Sequence, residues 1–181
     1  KINYFFDVGA NCGIYSLVIS KLFPKTSTLS FEPVKSTFKK LEKNFSLNPK
    51  LKNMKKYNYG LSNKNSKLKM KALFKKNFIQ SGGYGVVNNK DNLKNLHTEF
   101  ALFKKGDDKF RYRNKIICLK VDVEGHEIFV LNGLKKIFKN NKVFLQIEIF
   151  PNNLTKINRW LKNFNFIKIN KINSDYYFTN K

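Results

Sequence analysis

Apolar residues recur along the chain with two periods. Residues 4–8, Tyr-Phe-Phe-Asp-Val, form a short β-favouring run closed by Gly9, which predicts a buried strand. Ile14, Leu17, Val18 and Leu22 then recur at helical spacing. Pro24 and residues 26–28 turn the chain into a second strand, 28–32, which Pro33 ends. Phe38, Leu41 and Phe45 mark a helix from about 35 to 47 with Lys on its other side, closed by Asn48-Pro49. A third strand is expected over 54–59, ending in the turn Gly60-Leu61-Ser62. Residues 115–123 carry Ile116, Ile117, Cys118, Leu119, Val121 and Val123 almost without interruption, the pattern of a central strand covered on both sides. Val130, Leu131, Leu134 and Phe138 predict a helix over 126–138, in which Gly133 permits close packing. A fifth strand over 143–149 and a helix marked by Leu154, Ile157, Leu161 and Phe164 follow. Residues 166–169 and 176–178 then predict an antiparallel pair around a turn at 173–175. Strands alternating with helices place the chain in the α/β class, with a mostly parallel three-layer sheet and a C-terminal antiparallel hairpin.

One stretch breaks this rhythm. Leu68, Met70, Ala72 and Phe74 alternate with Lys67, Lys69 and Lys71, as in a half-buried strand with a cationic outer side. It predicts an insertion between the third and fourth core strands, residues 63–114, within a single domain spanning 1–181. The remainder of the insertion shows no clear periodicity, and such long connections are often functional. Its glycine-rich piece, Ser81-Gly82-Gly83-Tyr84-Gly85, suits a substrate lid. Tyr84, His97, Arg111 and Arg113 are its candidate substrate contacts, and Asp107-Asp108 reads as a turn cap.

Composition narrows the classes. With 181 residues, 41% of them hydrophobic and 18 of them Phe, the chain can build a real core. No apolar run reaches membrane-spanning length, and no signal peptide precedes the first strand, so a cytoplasmic protein is expected. The chain enters a strand almost at Lys1, and a further segment upstream is expected. Cys12 and Cys118 read as reduced thiols, and neither the Cys nor the two His show zinc-ligand spacing. The formal charge of +24 admits a nucleic-acid or anionic-glycan partner. The lysines are scattered and few aromatics interleave with them, so compositional bias explains most of this charge better.

The candidate chemistry begins where the first strand meets the first helix. Gly9-x-Asn11-x-Gly13 is a turn that lets a ligand approach the backbone and offers the free N–H groups of a helix start. It lacks the third glycine of the dinucleotide fingerprint and the G-K-[ST] of a P-loop. Asp7 sits badly beside a pyrophosphate and suits a ligand bearing an amino group. Glu32, at the end of the second strand, can accept both hydroxyls of a ribose. An acidic loop with a ribose hook and no phosphate cradle points to S-adenosylmethionine, held by Asp7, Gly9, Ala10, Asn11, Gly13 and Glu32. At the other strand end, Asp122 and Glu124 face one pocket if the strand persists, with His126 and Glu127 close behind. Glu148, near the end of the fifth strand, joins the rim.

Taken together, residues 7–16 (Asp-Val-Gly-Ala-Asn-Cys-Gly-Ile-Tyr-Ser), Phe31-Glu32-Pro33, residues 120–127 (Lys-Val-Asp-Val-Glu-Gly-His-Glu) and Val130-Leu131-x-Gly133 resemble the FkbM family of S-adenosylmethionine-dependent methyltransferases. The resemblance runs from about residue 4 to about 150. It implies a Rossmann-like class I fold, adenine contacts from Gly60 and Leu61, and methyl transfer to a hydroxyl of a sugar, glycan or small natural product. A hydroxyl acceptor must lose its proton, and Asp122, Glu124 and His126 are the candidate catalytic groups. A divalent cation shared by Asp122 and Glu124 ranks below metal-free base catalysis. The rival readings are an RNA methyltransferase, suggested by charge, and a non-catalytic binder of S-adenosylmethionine. Against the first, the N/D-P-P-[YFW] motif and a K-D-K-E set are absent. Against the second, Asp7, Gly9, Gly13 and Glu32 are intact.

Overall fold

The computed structural model describes residues 1–75, 78–80, 82–89 and 91–180; Ser81 of the predicted lid lies outside them. Seven strands form one sheet, in the order β11 (Ile167–Ile172), β12 (Asp175–Thr179), β10 (Lys142–Glu148), β9 (Ile116–Val121), β1 (Tyr4–Val8), β2 (Ser27–Phe31) and β3 (Met54–Tyr57). The pairs from β3 to β10 are parallel, and β12 and β11 close the far edge antiparallel, as the sequence predicts. The chain direction of assembly reverses between β1 and β9, which leaves a crevice beyond their carboxyl ends.

One side of this sheet is apolar. Phe6 and Val8, Leu29 and Phe31, Ile117, Leu119 and Val121, and Val143, Leu145 and Ile147 are almost entirely buried there. They pack with Val130 and Leu131 of α4 (Glu127–Gly133), Ile137 and Phe138 of α5 (Lys135–Asn140), and Ile157 and Leu161 of α6 (Leu154–Asn163). Each such side chain contributes about 1.5–3 kcal/mol by leaving water. The helix predicted over 126–138 is thus two helices. Leu134 separates them, and the Asp107 carboxylate accepts the Lys136 and Ile137 N–H groups at the start of α5, at 3.0 and 3.2 Å.

The other side carries Phe5 and Cys118 but is polar where α1 meets it, and here the helical stripe of the first helix is corrected. α1 (Ile14–Leu22) forms where expected, but it buries Ser16 and Ser20, while Ile14, Val18 and Leu22 are 63%, 50% and 64% exposed. Ser16 Oγ donates to Asp7 Oδ2 at 2.7 Å and shares a hydrogen bond with Ser30 Oγ at 2.6 Å. Ser20 Oγ donates to Thr28 Oγ1 at 2.9 Å. The strands present Asp7, Thr28 and Ser30 on this side, so only a helix face that can hydrogen-bond will seat there. The central strand departs from expectation for the same reason: Lys120 occupies this side of β9 and is 5% exposed.

The inserted segment builds a second sheet, β4 (Gly60–Ser62), β8 (Leu96–Lys105), β5 (Ser66–Lys75) and β6 (Phe78–Ile79), with β7 (Gly85–Val86) also on β5. The expected turn at 60–62 is therefore a strand, parallel to β8 and wholly buried. β5 alternates as its pattern predicts as far as Ala72, and departs at Phe74, which is 44% exposed: Met70 and Ala72 are buried with Ala101, Phe103, Tyr84 and Val34 in a small core of their own. Val34 immediately precedes α2 (Lys35–Ser46), so this small core meets the larger one at the edge of the crevice.

Candidate active site

The turn after β1 is shaped by its main chain. Gly9 has φ +80°, and a Cβ on it would lie 1.8 Å from the Asp122 carbonyl oxygen, so the two strand ends can approach only through glycine. The Gly9 and Ala10 N–H groups both donate to the Phe31 carbonyl at 3.0 Å, and Asn11 takes a left-handed φ of +50°. Glu32 fastens this turn to the next. Its Oε2 accepts the Asn11 N–H and its Oε1 the Val34 N–H, both at 2.9 Å. Burial pushes its carboxyl up to about 7 against these two bonds.

A tight turn follows β9, with Glu124 at φ +50° and Gly125 at φ +96°. A left-handed glutamate is uncommon, and such strain gathers at functional sites. Oxygens of Asp122, Glu124 and Glu148 lie within 4.8 Å of one another. Like charges so close disfavour full ionisation. Burial and the charges of Asp122, Glu124 and Asp175 push the Glu148 carboxyl up to about 7. Burial, Asp122 and Glu127 raise Glu124 as well. Behind them, Glu127 is fully buried and accepts the Gly125 N–H at 2.8 Å.

Among the described residues, Lys120 is the one cation paired with this group. Its Nζ donates to Asp122 Oδ2 at 3.0 Å and stands 3.9 Å from Asp7 Oδ1. Seven of the chain's 12 acidic residues gather around these strand ends: Asp7, Glu32, Asp122, Glu124, Glu127, Glu148 and Asp175. A chain of charge +24 therefore holds a negative centre.

The cleft over this centre is lined by Gly9, Asn11, Glu32, Gly60, Leu61, Asp122, Glu124 and His126 from the expected set. Asp7, Ala10 and Gly13 stand behind that wall, and Asp7 is fully buried against Ser16. The insertion supplies the opposite wall with Met70, Gly82, Tyr84, Val86 and Phe103. Of the four insertion residues expected to meet substrate, Tyr84 alone lines the cleft. His97 pairs with Glu99 at 3.8 Å, and Arg111 and Arg113 border a separate hollow with Asp107.

His126 is held by its surroundings. Its Nε2 bonds Ser62 Oγ at 2.9 Å, its ring stacks on Phe129 at 4.6 Å, and Phe103 leans on it at 5.2 Å. Burial pushes it down to about 4, so it is neutral at pH 7. Lys120 and Ser16, which hold the site's carboxylates, were missed from sequence, as were Met70, Val86 and Phe103 of the cleft wall. The signal available for Lys120 was a lysine in an otherwise apolar strand, two positions before Asp122.

The chain matches the FkbM methyltransferase domain over residues 7–168. It is 28% identical over 152 residues to methyltransferase sdnD of Sordaria araneosa, covering 71% of this chain and 59% of that protein. Its fold is similar to that of methyltransferase FkbM from Methylobacillus flagellatus KT, with a TM-score of 0.61 and 12% identity over 98% of this chain and 43% of that one. A putative rRNA methylase from Clostridium thermocellum has a TM-score of 0.57 at 8% identity, covering 98% of this chain and 84% of that one. The two likenesses to solved structures show the fold alone. No helix among the described residues is long and apolar enough to cross a membrane. On the match over residues 7–168, which takes in the glycine turn, the carboxylate cluster and the insertion between them, the chain belongs to the FkbM family of methyltransferase domains.

Proposed function

We propose that the protein transfers a methyl group from S-adenosylmethionine to a hydroxyl oxygen of a sugar, a glycan or a small natural product. The observation that carries this reading is the meeting of two features in one cleft: the turn fastened by Glu32, and the Asp122 and Glu124 carboxylates after β9, with Glu148 of β10 beside them outside the cleft lining. The donor set fits the ligand. Glu32 keeps lone pairs free beyond its two backbone bonds and offers them to ribose hydroxyls. Gly60 and Leu61, with Val34, give an apolar wall for a flat base. A centre rich in carboxylates favours a ligand carrying a sulfonium and an ammonium. When bound, S-adenosylmethionine supplies an electrophilic methyl group on its sulfonium.

The chain's own groups do the rest. With the donor bound, the cleft walls would hold the acceptor oxygen against its methyl group, which would supply much of the acceleration as the O–C bond forms and S-adenosylhomocysteine leaves. Glu124, which lines the cleft, takes the hydroxyl proton as the oxygen attacks. Asp122, fixed by Lys120, orients acceptor or donor beside it. Glu148, at about 7, holds or releases a proton near neutrality and keeps the cluster's charge adjustable. His126 acts in this scheme as a neutral wall residue. The insertion serves as the substrate-selecting lid, through Tyr84 and its neighbours.

The acceptor class follows from charge. Carboxylates within 4.8 Å of one another repel phosphates, which favours a neutral or cationic acceptor over RNA. One observation favours the RNA reading. Phe100, 60% exposed on the outer side of β8, has the Lys67 ammonium 5.3 Å above its ring, a pairing of base-stacking and charge that single-stranded nucleic acid uses. Transfer of labelled methyl to a panel of sugars, hydroxylated metabolites and RNA separates the two. Glu124→Gln is expected to lose about 10²–10⁴-fold in transfer rate with donor affinity changed less than about threefold. Calorimetry of Glu32→Ala is expected to show no donor binding; wild-type affinity in that variant overturns the donor assignment.

A further inference from the structure

We infer that Lys120 is a positioning residue that clamps Asp7 to Asp122 and so fixes the two strand ends between which the methyl donor lies. The inference rests on the donor reading above. β9 runs through the middle of the sheet, and Lys120 stands in register with Asp7 on β1 and Gln146 on β10. A lysine at the centre of a parallel sheet loses most of its hydration, a cost of several kcal/mol that an aliphatic side chain would not carry. Its side chain is 6% exposed. Nothing in the packing of this position calls for a cation; the neighbouring carboxylates do.

Three groups surround the ammonium. Nζ donates to Asp122 Oδ2 at 3.0 Å and stands 3.9 Å from Asp7 Oδ1. Tyr15, from α1, covers it with its ring at 4.9 Å. Asp7 Oδ2 is already taken by Ser16, and Asp7 Oδ1 has no hydrogen-bond partner, so Lys120 is the group that holds it. Ser16, Asp7, Lys120 and Asp122 therefore form one chain of contacts, from α1 through the sheet to the cleft. Its far end meets Glu148, whose carboxyl lies within 4.8 Å of that of Asp122. One oxygen of Asp122 is committed to Lys120, and the orientation of the other is thereby set toward the cleft.

Without the ammonium, two carboxylates on neighbouring strands lose their shared counter-charge. Asp7, already raised chiefly by burial and lowered chiefly by Lys120, would hold a proton to higher pH, and Asp122 would be free to turn. Binding of a cationic donor then fails at a higher pH than in the wild type.

The test compares wild type, Lys120→Met, Lys120→Arg and Lys120→Met/Asp122→Asn. Calorimetry with S-adenosylmethionine between about pH 5.5 and 8.5 reads affinity, and carboxyl-carbon magnetic resonance of the ligand-free protein reads the titration of Asp7. In Lys120→Met, affinity is expected to fall about tenfold or more at pH 6.5, with the acid midpoints of affinity and of Asp7 both moving up by about one pH unit. Lys120→Arg is expected to stay within about threefold of wild type, and the double variant to recover part of the loss. A lysine that only stabilises the fold would lower the melting temperature and leave both midpoints in place, and that result overturns the inference. Should Lys120→Met fail to fold, Lys120→Gln carries the same two readouts. Failure of the wild type to bind S-adenosylmethionine would remove the donor reading, while an unmoved Asp7 midpoint in Lys120→Met removes the clamp; the two failures are separate.

Discussion

The two sides of the seven-stranded sheet solve the same problem with different chemistry. Toward α4, α5 and α6, every strand but the exposed edge strand β11 contributes aliphatic or aromatic side chains, and the helices answer in kind. Toward α1, the strands contribute Asp7, Thr28, Ser30 and Lys120, and the helix answers with Ser16 and Ser20. The apolar side gains by removing surface from water and tolerates small shifts. The polar side gains little net free energy per hydrogen bond but is expensive to leave half-made. It therefore fixes positions more than it adds stability. That distinction suits its location, because Asp7, Ser16 and Lys120 all connect to the carboxylates of the cleft.

The contrast is open to attack at four points, taken from the largest expected effect. Phe31→Ala, on the apolar side, is expected to destabilise the protein by about 3–5 kcal/mol in denaturant unfolding, since Phe31 is wholly buried between Phe6, Tyr57 and Phe110. The second concerns pH. The Glu32 carboxyl is raised to about 7 in the folded protein against about 4.5 in the unfolded chain. The folded state thus holds this proton more tightly, and stability from this source is full below about pH 4.5 and lost as pH rises toward 7. Measured as the difference between wild type and Glu32→Gln, the loss is expected to be on the order of 3 kcal/mol. A flat difference curve would mean that the carboxyl is not held neutral. Third, Ser16→Ala should cost about 1–2 kcal/mol, because it strands Asp7 Oδ2 and Ser30 Oγ in the interior. The smallest effect belongs to Val18→Ser, on the outward stripe of α1, which should stay within about 0.5 kcal/mol. A larger loss there would show that the stripe is covered in solution.

The same contrast explains what could be read from the sequence. Strands such as β1, β9 and β10 were legible because each carries an unbroken apolar set on one side, and the closing hairpin was legible from its turn at 173–175. The orientation of α1 was not. Periodicity locates a helix and its apolar stripe, yet here the stripe faces out because the sheet beneath offers hydroxyls and a carboxylate. β8 was hidden for a related reason: Phe100 and Leu102 are exposed while Ala101 and Phe103 are buried, so apolar residues fall on both sides and no period-two signal survives. In the cleft, Glu32 and Asp122 could be found because glycine turns and strand ends fix where such groups stand. His126 stood in the right place but proved to be engaged by Ser62 and Phe129. Lys120 went unnoticed because its meaning lies in a partner on another strand.

The inserted sheet keeps a hydrophobic cluster of its own, in which Val34 is the one residue drawn from the parallel framework. It is tied to that framework at several further points: Glu99 accepts the Lys35 N–H, Ser62 Oγ bonds His126, Leu61 of β4 is buried in the larger core, and Gly133 lies against the Ser62 carbonyl, where a Cβ would come within 1.9 Å. The side chains it turns to the cleft, Met70, Tyr84 and Val86, belong to this small core and not to the larger one, so substitutions among them leave the parallel framework in place. Lineages that inherit this scaffold can thus trade one wall of the cleft for another and change what the cleft admits, while the strand ends opposite stay under the constraint of Gly9 and Gly133.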